Sequence, residues 1–390
     1  MMVRFDLIHR SVKRHSFLRL SLFILAIPVL SGCWGSPKSD LSSTFDFKAI
    51  AIDPTTPTTI YVGTDGGGVY RSTDGGASWA QMNQGLLDLK ITALAIDWFT
   101  PSRIYAGTEN GGIFASSNNG ESWIFNQTLI SNIRAIVIDR NFCPADSPPC
   151  RGVYVASQTS GVWLSTDGGI TYTSFNGQRL SGSSAVTAMA IYPTTVPNPI
   201  SRLYIGTEGG GFFYRGILPL DNDWTVPTPG LIANTKEEPV SLAVNPQVIS
   251  ELYVGTSGGG ESNSTVGIYK TTDAGTTFNL SYNPNFKYTI YFVVPVIGPS
   301  TTDLTLYAGA DTIVSSVDRG GSWCILSDLS DPQNACKKPL DILSPGLVAF
   351  AVADVTDTTV DHSTFYAALF NRQFIKTTDG GQTWTTLSLQ

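Results

Sequence analysis

The octapeptide STDGGASW at residues 72–79 recurs, with small changes, five more times along the chain. The other copies are SSNNGESW at 116–123, STDGGITY at 165–172, TTDAGTTF at 271–278, SVDRGGSW at 316–323 and TTDGGQTW at 377–384. A catalytic site is normally built once, whereas a motif that returns every roughly 40–55 residues is typical of repeat architectures. The octapeptide is therefore predicted to build the fold rather than to carry out a reaction.

Each octapeptide belongs to a longer unit, which is clearest at residues 91–127. This unit contains four short runs rich in β-branched and aromatic residues, ITALAID, RIYAGT, IFASS and SWIFNQ, separated by turn residues. The pattern predicts a four-stranded antiparallel meander. Its second strand has a tyrosine at the same place in seven units: Tyr61, Tyr105, Tyr154, Tyr204, Tyr253, Tyr307 and Tyr366. There are thus seven units and six octapeptides, and the fourth unit reads YRGILPLDNDW instead.

Seven units over residues 45–390 predict an all-β fold, a seven-bladed β-propeller of four-stranded antiparallel blades. A closed ring leaves no long open sheet edge. Small first-strand residues such as Ala49 and Ala51 suit the crowded axis, and the aromatic that ends each octapeptide suits the wider gaps between sheets. A tandem solenoid of β-hairpins is the alternative architecture.

The octapeptides resemble Asp-boxes, the turn motif of bacterial neuraminidase repeats, sortilin-type receptors, xyloglucan hydrolases and photosystem II assembly factors. The resemblance covers most of residues 45–390. It implies that the acidic residue accepts hydrogen bonds from its own turn, and that the glycine supplies a positive φ. A calcium loop is the alternative, but no downstream bidentate glutamate follows the motif. We therefore expect no metal site and no cofactor, and we assign a structural role to Asp74, Asn118, Asp167, Asp273, Asp318 and Asp379.

Residues 1–32 are predicted to be a lipoprotein signal peptide. A basic leader precedes SLFILAIPVL, an apolar run too short to span a bilayer, and LSGC then ends at Cys33. LSGC resembles the lipobox of bacterial lipoproteins, which implies cleavage before Cys33 and lipidation of that residue. An ordinary signal peptide with a chance cysteine is the alternative. Residues 33–44 would be the lipidated N-terminus and a polar tether, which places the protein in the bacterial cell envelope. Trp34 favours the outer membrane, on either its periplasmic or its surface side.

Composition and residue counts argue against several partners and site types. The chain has 24 basic and 31 acidic residues, and no basic run follows the leader, so nucleic acid is not an expected partner. Beyond the leader His362 is the single histidine, which disfavours His-ligated metals and most catalytic triads. Two local cysteine pairs, Cys143 with Cys150 and Cys324 with Cys336, predict two disulfides in an exported protein. We expect a monomer.

The candidate ligand-binding residues are charged residues at one mouth of the predicted channel. In the predicted strand order, the loops between second and third strands lie opposite the octapeptides. Asp65, Glu109, Glu208 and Asp311 fall at matching places in these loops, and Arg134 lies in a blade-to-blade connection. The four acids suit a cation, a basic peptide or sugar hydroxyls. The alternative is that they are solvated acids of glycine-rich turns.

Two function classes remain open on the sequence alone. The first is a lipid-anchored propeller that binds a protein or glycan at the channel mouth, as a binding or assembly scaffold. The second is a glycoside hydrolase, because residues 61–72 resemble xyloglucan hydrolases, in which a catalytic acid takes the place of Asp65. Hydrolysis needs a second carboxylate about 5–9.5 Å away, for which Asp311 or Glu208 would serve. Sialidase activity is disfavoured, because that family uses three channel-face arginines and only Arg134 and Arg179 map there.

Overall fold

The computed structural model describes residues 45–127, 130–139, 152–180, 185–192, 201–209, 211–218, 223–227, 238–248, 250–257, 266–282, 289–297, 304–309, 313–325, 347–352, 364–369, 372–379 and 383–387. All of them belong to one unit, Lys38–Gln390. The predicted signal peptide, Cys33, the tether, Asp311 and the cysteines Cys143, Cys150 and Cys336 lie outside these ranges. Within the described ranges, no helix has the length and apolar character that crossing a bilayer requires.

The described residues form 27 strands in seven antiparallel sheets, each made of strands that follow one another in sequence. The first three blades contain β1 (Phe47–Ile52), β2 (Ile60–Thr64), β3 (Gly68–Ser72) and β4 (Ala80–Gln81); β5 (Ile91–Ile96), β6 (Ile104–Thr108), β7 (Ile113–Ser116) and β8 (Ile124–Gln127); and β9 (Ile133–Asp139), β10 (Gly152–Ser157), β11 (Gly161–Ser165) and β12 (Thr173–Ser174).

The fourth blade contains β13 (Val186–Ile191), β14 (Ser201–Thr207) and β15 (Gly211–Leu218), with an isolated bridge between Tyr214 and Thr225 at the place of a fourth strand. The last three blades contain β16 (Glu238–Val244), β17 (Leu252–Ser257), β18 (Ile268–Thr271) and β19 (Asn279–Tyr282); β20 (Phe292–Ile297), β21 (Leu304–Gly309), β22 (Ile313–Ser316) and β23 (Cys324–Ile325); and β24 (Leu347–Val352), β25 (Phe365–Leu369), β26 (Phe374–Thr377) and β27 (Thr385–Leu387). Cys324 begins β23, and both disulfide pairings stay predictions.

The seven sheets close into a ring, which confirms the predicted seven-bladed β-propeller. The first strand of each blade contacts the first strand of the next, in the order β1, β5, β9, β13, β16, β20, β24, and β24 returns to β1. Second strands such as β2 and β6 are buried along their whole length, because neighbouring blades cover both of their faces. The tandem solenoid is therefore wrong for this chain.

Glycines in the second strands let neighbouring blades approach closely. A Cβ at Gly63 would lie 2.6 Å from a side-chain carbon of Ile91, the first residue of the next blade. A Cβ at Gly255 would likewise lie 2.7 Å from a side-chain carbon of Ile290. The glycine of the IYVGT pattern is thus required by packing between blades, since its own φ is ordinary.

The octapeptide carboxylates are engaged by their own turns, between the third and fourth strands. Asp74 Oδ1 accepts hydrogen bonds from Ser72 Oγ and from the backbone N–H of Ser78, each at 2.8 Å, and Oδ2 accepts one from Ser78 Oγ. Ser72 Oγ in turn accepts the N–H of Gly76 at 2.8 Å. The corresponding serine or threonine also donates to each of the other octapeptide aspartates, Asp167, Asp273, Asp318 and Asp379.

Asn118 shows how the turn adapts to a neutral side chain. Its Oδ1 keeps the bonds from Ser116 Oγ and the Ser122 N–H, at 2.8 and 3.0 Å. Its Nδ2 donates to Ser122 Oγ at 2.9 Å, so this serine accepts where Ser78 donates. In the described residues, no group of three or more His, Cys, Asp or Glu side chains is placed to hold a metal ion.

At three junctions among the described residues, the octapeptide turn also receives the tyrosine of the preceding blade. The hydroxyl of Tyr61 donates to the Asn119 carbonyl at 3.2 Å, and that of Tyr105 donates to the Gly168 carbonyl at 2.6 Å. Tyr253 donates to the Arg319 carbonyl in the same way, at 3.2 Å. The accepting residues have positive φ angles, which turn their carbonyls toward the neighbouring blade. The motif therefore links blades as well as strands.

The ring closes through contacts between blade 7 and blade 1 rather than through a shared sheet. The ring of Phe374 packs edge-on against Trp79, with centroids 5.4 Å apart, and lies 5.8 Å from Phe47. Arg372 Nε lies 2.8 Å from Asp46 Oδ1 at the channel end of the same junction. Arg372 is therefore a third arginine of this end, in addition to the two that the sequence analysis mapped there. An aromatic cluster and an ion pair thus join the two end blades.

The junction of blades 3 and 4 lacks an octapeptide and is filled differently. The Tyr154 hydroxyl is buried and, among the described residues, has no hydrogen-bond partner. Trp224 Nε1 and Arg215 Nη1 both donate to the Phe175 carbonyl, at 3.2 and 2.7 Å. The Arg215 guanidinium also lies 3.8 Å from the centre of the Phe175 ring. A cation–π and aromatic cluster therefore stands where other junctions have the turn.

Two tyrosine variants test the link between blades. Tyr105→Phe removes the hydrogen bond to Gly168, so we expect the free energy of unfolding to fall by about 1 kcal/mol. Tyr154→Phe removes a buried hydroxyl without a partner, so the same quantity should stay unchanged or rise. Chemical denaturation of both variants measures the difference, and equal losses would contradict this account.

Substitutions at Asp318 test the role of the octapeptide carboxylate. Partial burial acts to raise the pKa of Asp318, but hydrogen bonds from Ser322 and Ser316 outweigh it and lower the pKa to about 2. The folded-state pKa is depressed, so this stabilisation is complete above the unfolded value of 3.8 and is lost as pH falls through about 2. Asp318→Asn should keep the turn, as Asn118 does. It should also weaken the pH dependence of the free energy of unfolding between pH 3.8 and about 2.

Asp318→Ala is the contrasting variant. It removes the acceptor for the Ser316 hydroxyl and the Ser322 N–H, so we expect a loss of about 1–2 kcal/mol at pH 7. Denaturation of the wild type and both variants at pH 7, 4 and 2.5 provides the comparison. An asparagine variant as unstable at pH 7 as the alanine variant would show that the charge itself holds the turn.

Candidate functional site

The channel face is defined here as the loops between second and third strands together with the blade-to-blade connections, including residues 82–90. These segments lie at the ends of the strands opposite the octapeptides, since each octapeptide follows a third strand. Asp65, Glu109 and Glu208 each directly follow a second strand, β2, β6 and β14. The structure therefore brings three of the four predicted acids to one face, and Asp311 lies outside the described residues.

Asp65 is held at the channel face by backbone and side-chain contacts. Its N–H donates to the Asp46 carbonyl at 2.8 Å, and it forms an isolated β-bridge with Lys90. Its carboxylate Oδ2 lies 3.6 Å from Lys48 Nζ, and both side chains are partly exposed. The aspartate is thus fixed in place by its backbone while its carboxylate remains accessible to solvent.

Lys90 lies between two of the predicted acids. Its Nζ is 2.8 Å from Glu109 Oε2, and the Glu109 N–H donates to the Lys90 carbonyl at 3.0 Å. The hydrogen bond to Glu109 is the largest cause that raises the pKa of Lys90, followed by the charges of Glu109 and Asp65. Lys48, Asp65, Lys90 and Glu109 form a cluster of alternating charge, called the lysine–acid cluster below.

Glu208 and Arg134 meet through a residue that sequence reasoning missed. Arg134 Nε donates to Gln158 Oε1 at 2.9 Å, and Gln158 Nε2 lies 3.5 Å from Glu208 Oε2. Gln158 directly follows β10, the place that Asp65 and Glu109 hold in blades 1 and 2. A search for charged residues passes over it, whereas the strand register would have singled it out.

Leucines project beside the lysine–acid cluster. The side chain of Leu87 is 77% exposed and that of Leu89 is 37% exposed, both in the connection from blade 1 to blade 2. Asp88 between them accepts the N–H groups of Asn110 and Gly111, at 2.8 and 2.9 Å. The connection is therefore held against the next loop while it presents apolar side chains to solvent.

The ion pairs of this face are exposed and therefore weak. Pairs of this kind typically contribute about 0–1 kcal/mol in water, because solvent and salt screen them. A ligand that offers an ammonium, a carboxylate or a hydroxyl can replace one partner at little cost. The geometry thus suits reversible binding of a charged or polar ligand.

A separate cavity lies at the other end of the strands. It has a volume of ≈ 240 Å³ and is lined by Ile96, Asp97, Trp98, Phe99, Ile136 and Ile138, with other residues of the same strands. These residues come from the ends of β5 and β9 and from the turn that follows β5. The cavity is mostly apolar and contains none of the predicted ligand-binding residues.

Solved structures similar to this chain share its fold at low sequence identity. No family model and no curated protein sequence matches the chain. An ancestral GH74 enzyme aligns with 16% identity and a TM-score of 0.55 over 87% of this chain and 48% of its own. YCF48 from Cyanidioschyzon merolae aligns with 11% identity and a TM-score of 0.54, over 86% and 94%. YCF48 bound to D1 peptide aligns with 12% identity and a TM-score of 0.51, over 86% of this chain and 92% of its own.

These similarities support the β-propeller and nothing finer, because the identities are low. This chain spans about half of the GH74 enzyme and nearly all of YCF48.

A double-mutant cycle tests how firmly the start of the propeller is packed on the channel face. A Cβ at Gly67 would lie 2.6 Å from Phe45 Cδ2 and 2.8 Å from Thr64 Oγ1. Gly67→Ala should therefore lower the free energy of unfolding by about 1–3 kcal/mol. With Phe45→Ala also present, the part of this loss that arises from the contact with Phe45 should disappear, a coupling of about 1 kcal/mol. Additive losses would show that Phe45 does not pack against this loop.

Proposed function

We propose that the protein is a lipid-anchored binding or assembly scaffold of the bacterial cell envelope, which binds a polypeptide segment at its channel face. The observation that carries the proposal is the lysine–acid cluster, in which exposed charges of both signs alternate beside Leu87. An extended peptide offers the complementary set, namely charged and apolar side chains together with backbone donors and acceptors. The lipobox-like LSGC at Cys33 supports the anchor.

The chemistry of the acids favours binding over hydrolysis. A glycoside hydrolase needs one carboxylic acid that keeps its proton until it protonates the leaving group. Asp65 and Glu109 instead each form an ion pair with a lysine ammonium group, at 3.6 and 2.8 Å, as the carboxylates of a charged binding surface do. The fold similarity to YCF48 bound to D1 peptide also supports a peptide ligand for this chain.

Hydrolysis is the second candidate, and the place of Asp65 after β2 favours it. This position corresponds to a catalytic acid in the xyloglucan hydrolases that residues 61–72 resemble. The fold similarity to the GH74 enzyme agrees with that possibility. A glycan ligand without turnover would be a variant of the scaffold function.

Peptide arrays and polysaccharide assays with the chain from residue 34 onward separate the candidates. We expect the protein to bind arrayed peptides that combine charged and apolar residues, more weakly as salt rises. Asp65→Asn combined with Glu109→Gln should reduce binding at least tenfold. Glu121→Gln is the matched control, because Glu121 is an exposed acid at the octapeptide end.

The outcomes point in different directions. Release of reducing sugar from xyloglucan by the wild type, abolished by Asp65→Asn, would replace the scaffold by a hydrolase. Peptide binding that the channel-face variant leaves unchanged would move the site away from the lysine–acid cluster. Thermal unfolding of each variant confirms that the fold is retained.

A further inference from the structure

The described chain enters the propeller at the channel face, close to the lysine–acid cluster. The ring of Phe45 packs against Gly66 and Gly67 of the first loop. The Asp46 carbonyl accepts the Asp65 N–H at 2.8 Å, and the Asp46 carboxylate pairs with Arg372. The first strand then begins at Phe47, opposite Thr64. The described chain therefore begins at the same face that carries the candidate site.

The length of that segment limits how the propeller can stand on a membrane. Phe45 follows Cys33 by twelve positions, and a fully extended chain of this length reaches roughly 40 Å. To turn the octapeptide end toward the bilayer, the segment would have to cross a four-stranded blade, roughly 15 Å, and then descend its strands, roughly 20 Å. That path uses almost the whole reach and costs the entropy of a stretched chain.

The charges of the channel face indicate which partner it can bind when this face is turned toward the membrane. The described charged residues of this face are of both signs in similar number, so neither sign dominates: Lys48, Lys90, Arg134, Arg179 and Arg372, with Asp46, Asp65, Asp88, Glu109, Glu208 and Glu238. Anionic headgroups attract clusters of basic residues, and each lysine or arginine here has an acid or amide partner. The face is therefore suited to a protein ligand near the membrane rather than to the lipid surface itself.

We propose that the tether holds the channel face toward the membrane, so that its ligand is a polypeptide segment displayed at the bilayer surface by a membrane protein. This inference rests on the proposed lipid anchor at Cys33 and on the proposed peptide site. It adds the orientation of the propeller and the location of the partner. Binding then takes place in a layer no deeper than the reach of the tether.

Energy transfer from the protein to the membrane tests the orientation. An azido amino acid at Leu87 or at Val317, 77% and 73% exposed on opposite ends of the strands, is coupled to a donor dye. The full-length protein, lipidated in cells, is reconstituted into vesicles that contain acceptor-labelled headgroups. We expect transfer from position 87 to be at least twofold more efficient than transfer from position 317.

A second variant tests whether the tether causes the orientation. Insertion of about twenty glycine and serine residues before Lys38 adds reach, so the difference between the two positions should largely vanish. Equal or reversed efficiencies in the original protein would overturn the inference, and so would a difference that the long tether leaves unchanged. Failure of the wild type to join vesicles, as expected for Cys33→Ala, would remove the anchor on which it rests.

The failure of this inference is distinguishable from failure of the proposed function. The peptide-array measurement is made in solution and does not depend on how the propeller stands on a membrane. Intact peptide binding with equal energy transfer would leave the scaffold in place and discard the orientation. More efficient transfer from position 87 without peptide binding would keep the orientation and discard the proposed peptide site.

Discussion

The hydrogen bonds between an octapeptide carboxylate and its own turn are the constraint on which the rest of the propeller depends. By accepting from the hydroxyls and N–H groups of the turn, Asp74 and its counterparts fix a residue with positive φ whose carbonyl points at the preceding blade. That carbonyl receives the tyrosine hydroxyl, as between Tyr105 and Gly168. One local motif therefore holds the hairpin and, at three junctions of the described residues, also links it to the preceding blade.

The exceptions show what the turn requires. The Tyr204 hydroxyl has no partner among the described residues although blade 5 carries the octapeptide, so the motif does not by itself secure the tyrosine hydrogen bond. Asn118 lacks the charge and still holds its turn, because its amide donates where a carboxylate accepts. The turn therefore requires hydrogen-bonding geometry more than charge. Blade 4 lacks the motif, and there the Tyr154 hydroxyl has no partner among the described residues while Arg215 and Trp224 converge on the Phe175 carbonyl. At this junction a buried cluster of Phe175, Arg215 and Trp224 takes the place of the octapeptide turn.

The sequence predicts those parts of the molecule that repeat and misses those that occur once. Seven tyrosines in register fix the second strands, and hence place Asp65, Glu109 and Glu208 at matching ends of β2, β6 and β14. How the ring closes could not be read in advance, because Asp46 and Arg372 are distant in sequence and follow no repeat. Gln158 was missed because the search was limited to charged residues, although its register matches that of Asp65. Lys48 was missed because it lies in the first strand rather than in a loop. Asp311 lies outside the described residues, so its place at the mouth remains a prediction.

The register that builds the blades also couples the chain entry to the candidate site. In every blade the first strand begins where the second strand ends, so any segment that leads into β1 must arrive at the channel face. The acids of that face follow second strands for the same reason. A propeller held by its N-terminal segment thus presents its channel mouth to whatever holds the segment, unless the tether is long enough to pass the outer strands. Geometry alone, before any ligand is considered, places the start of the first blade and the candidate site on the same surface.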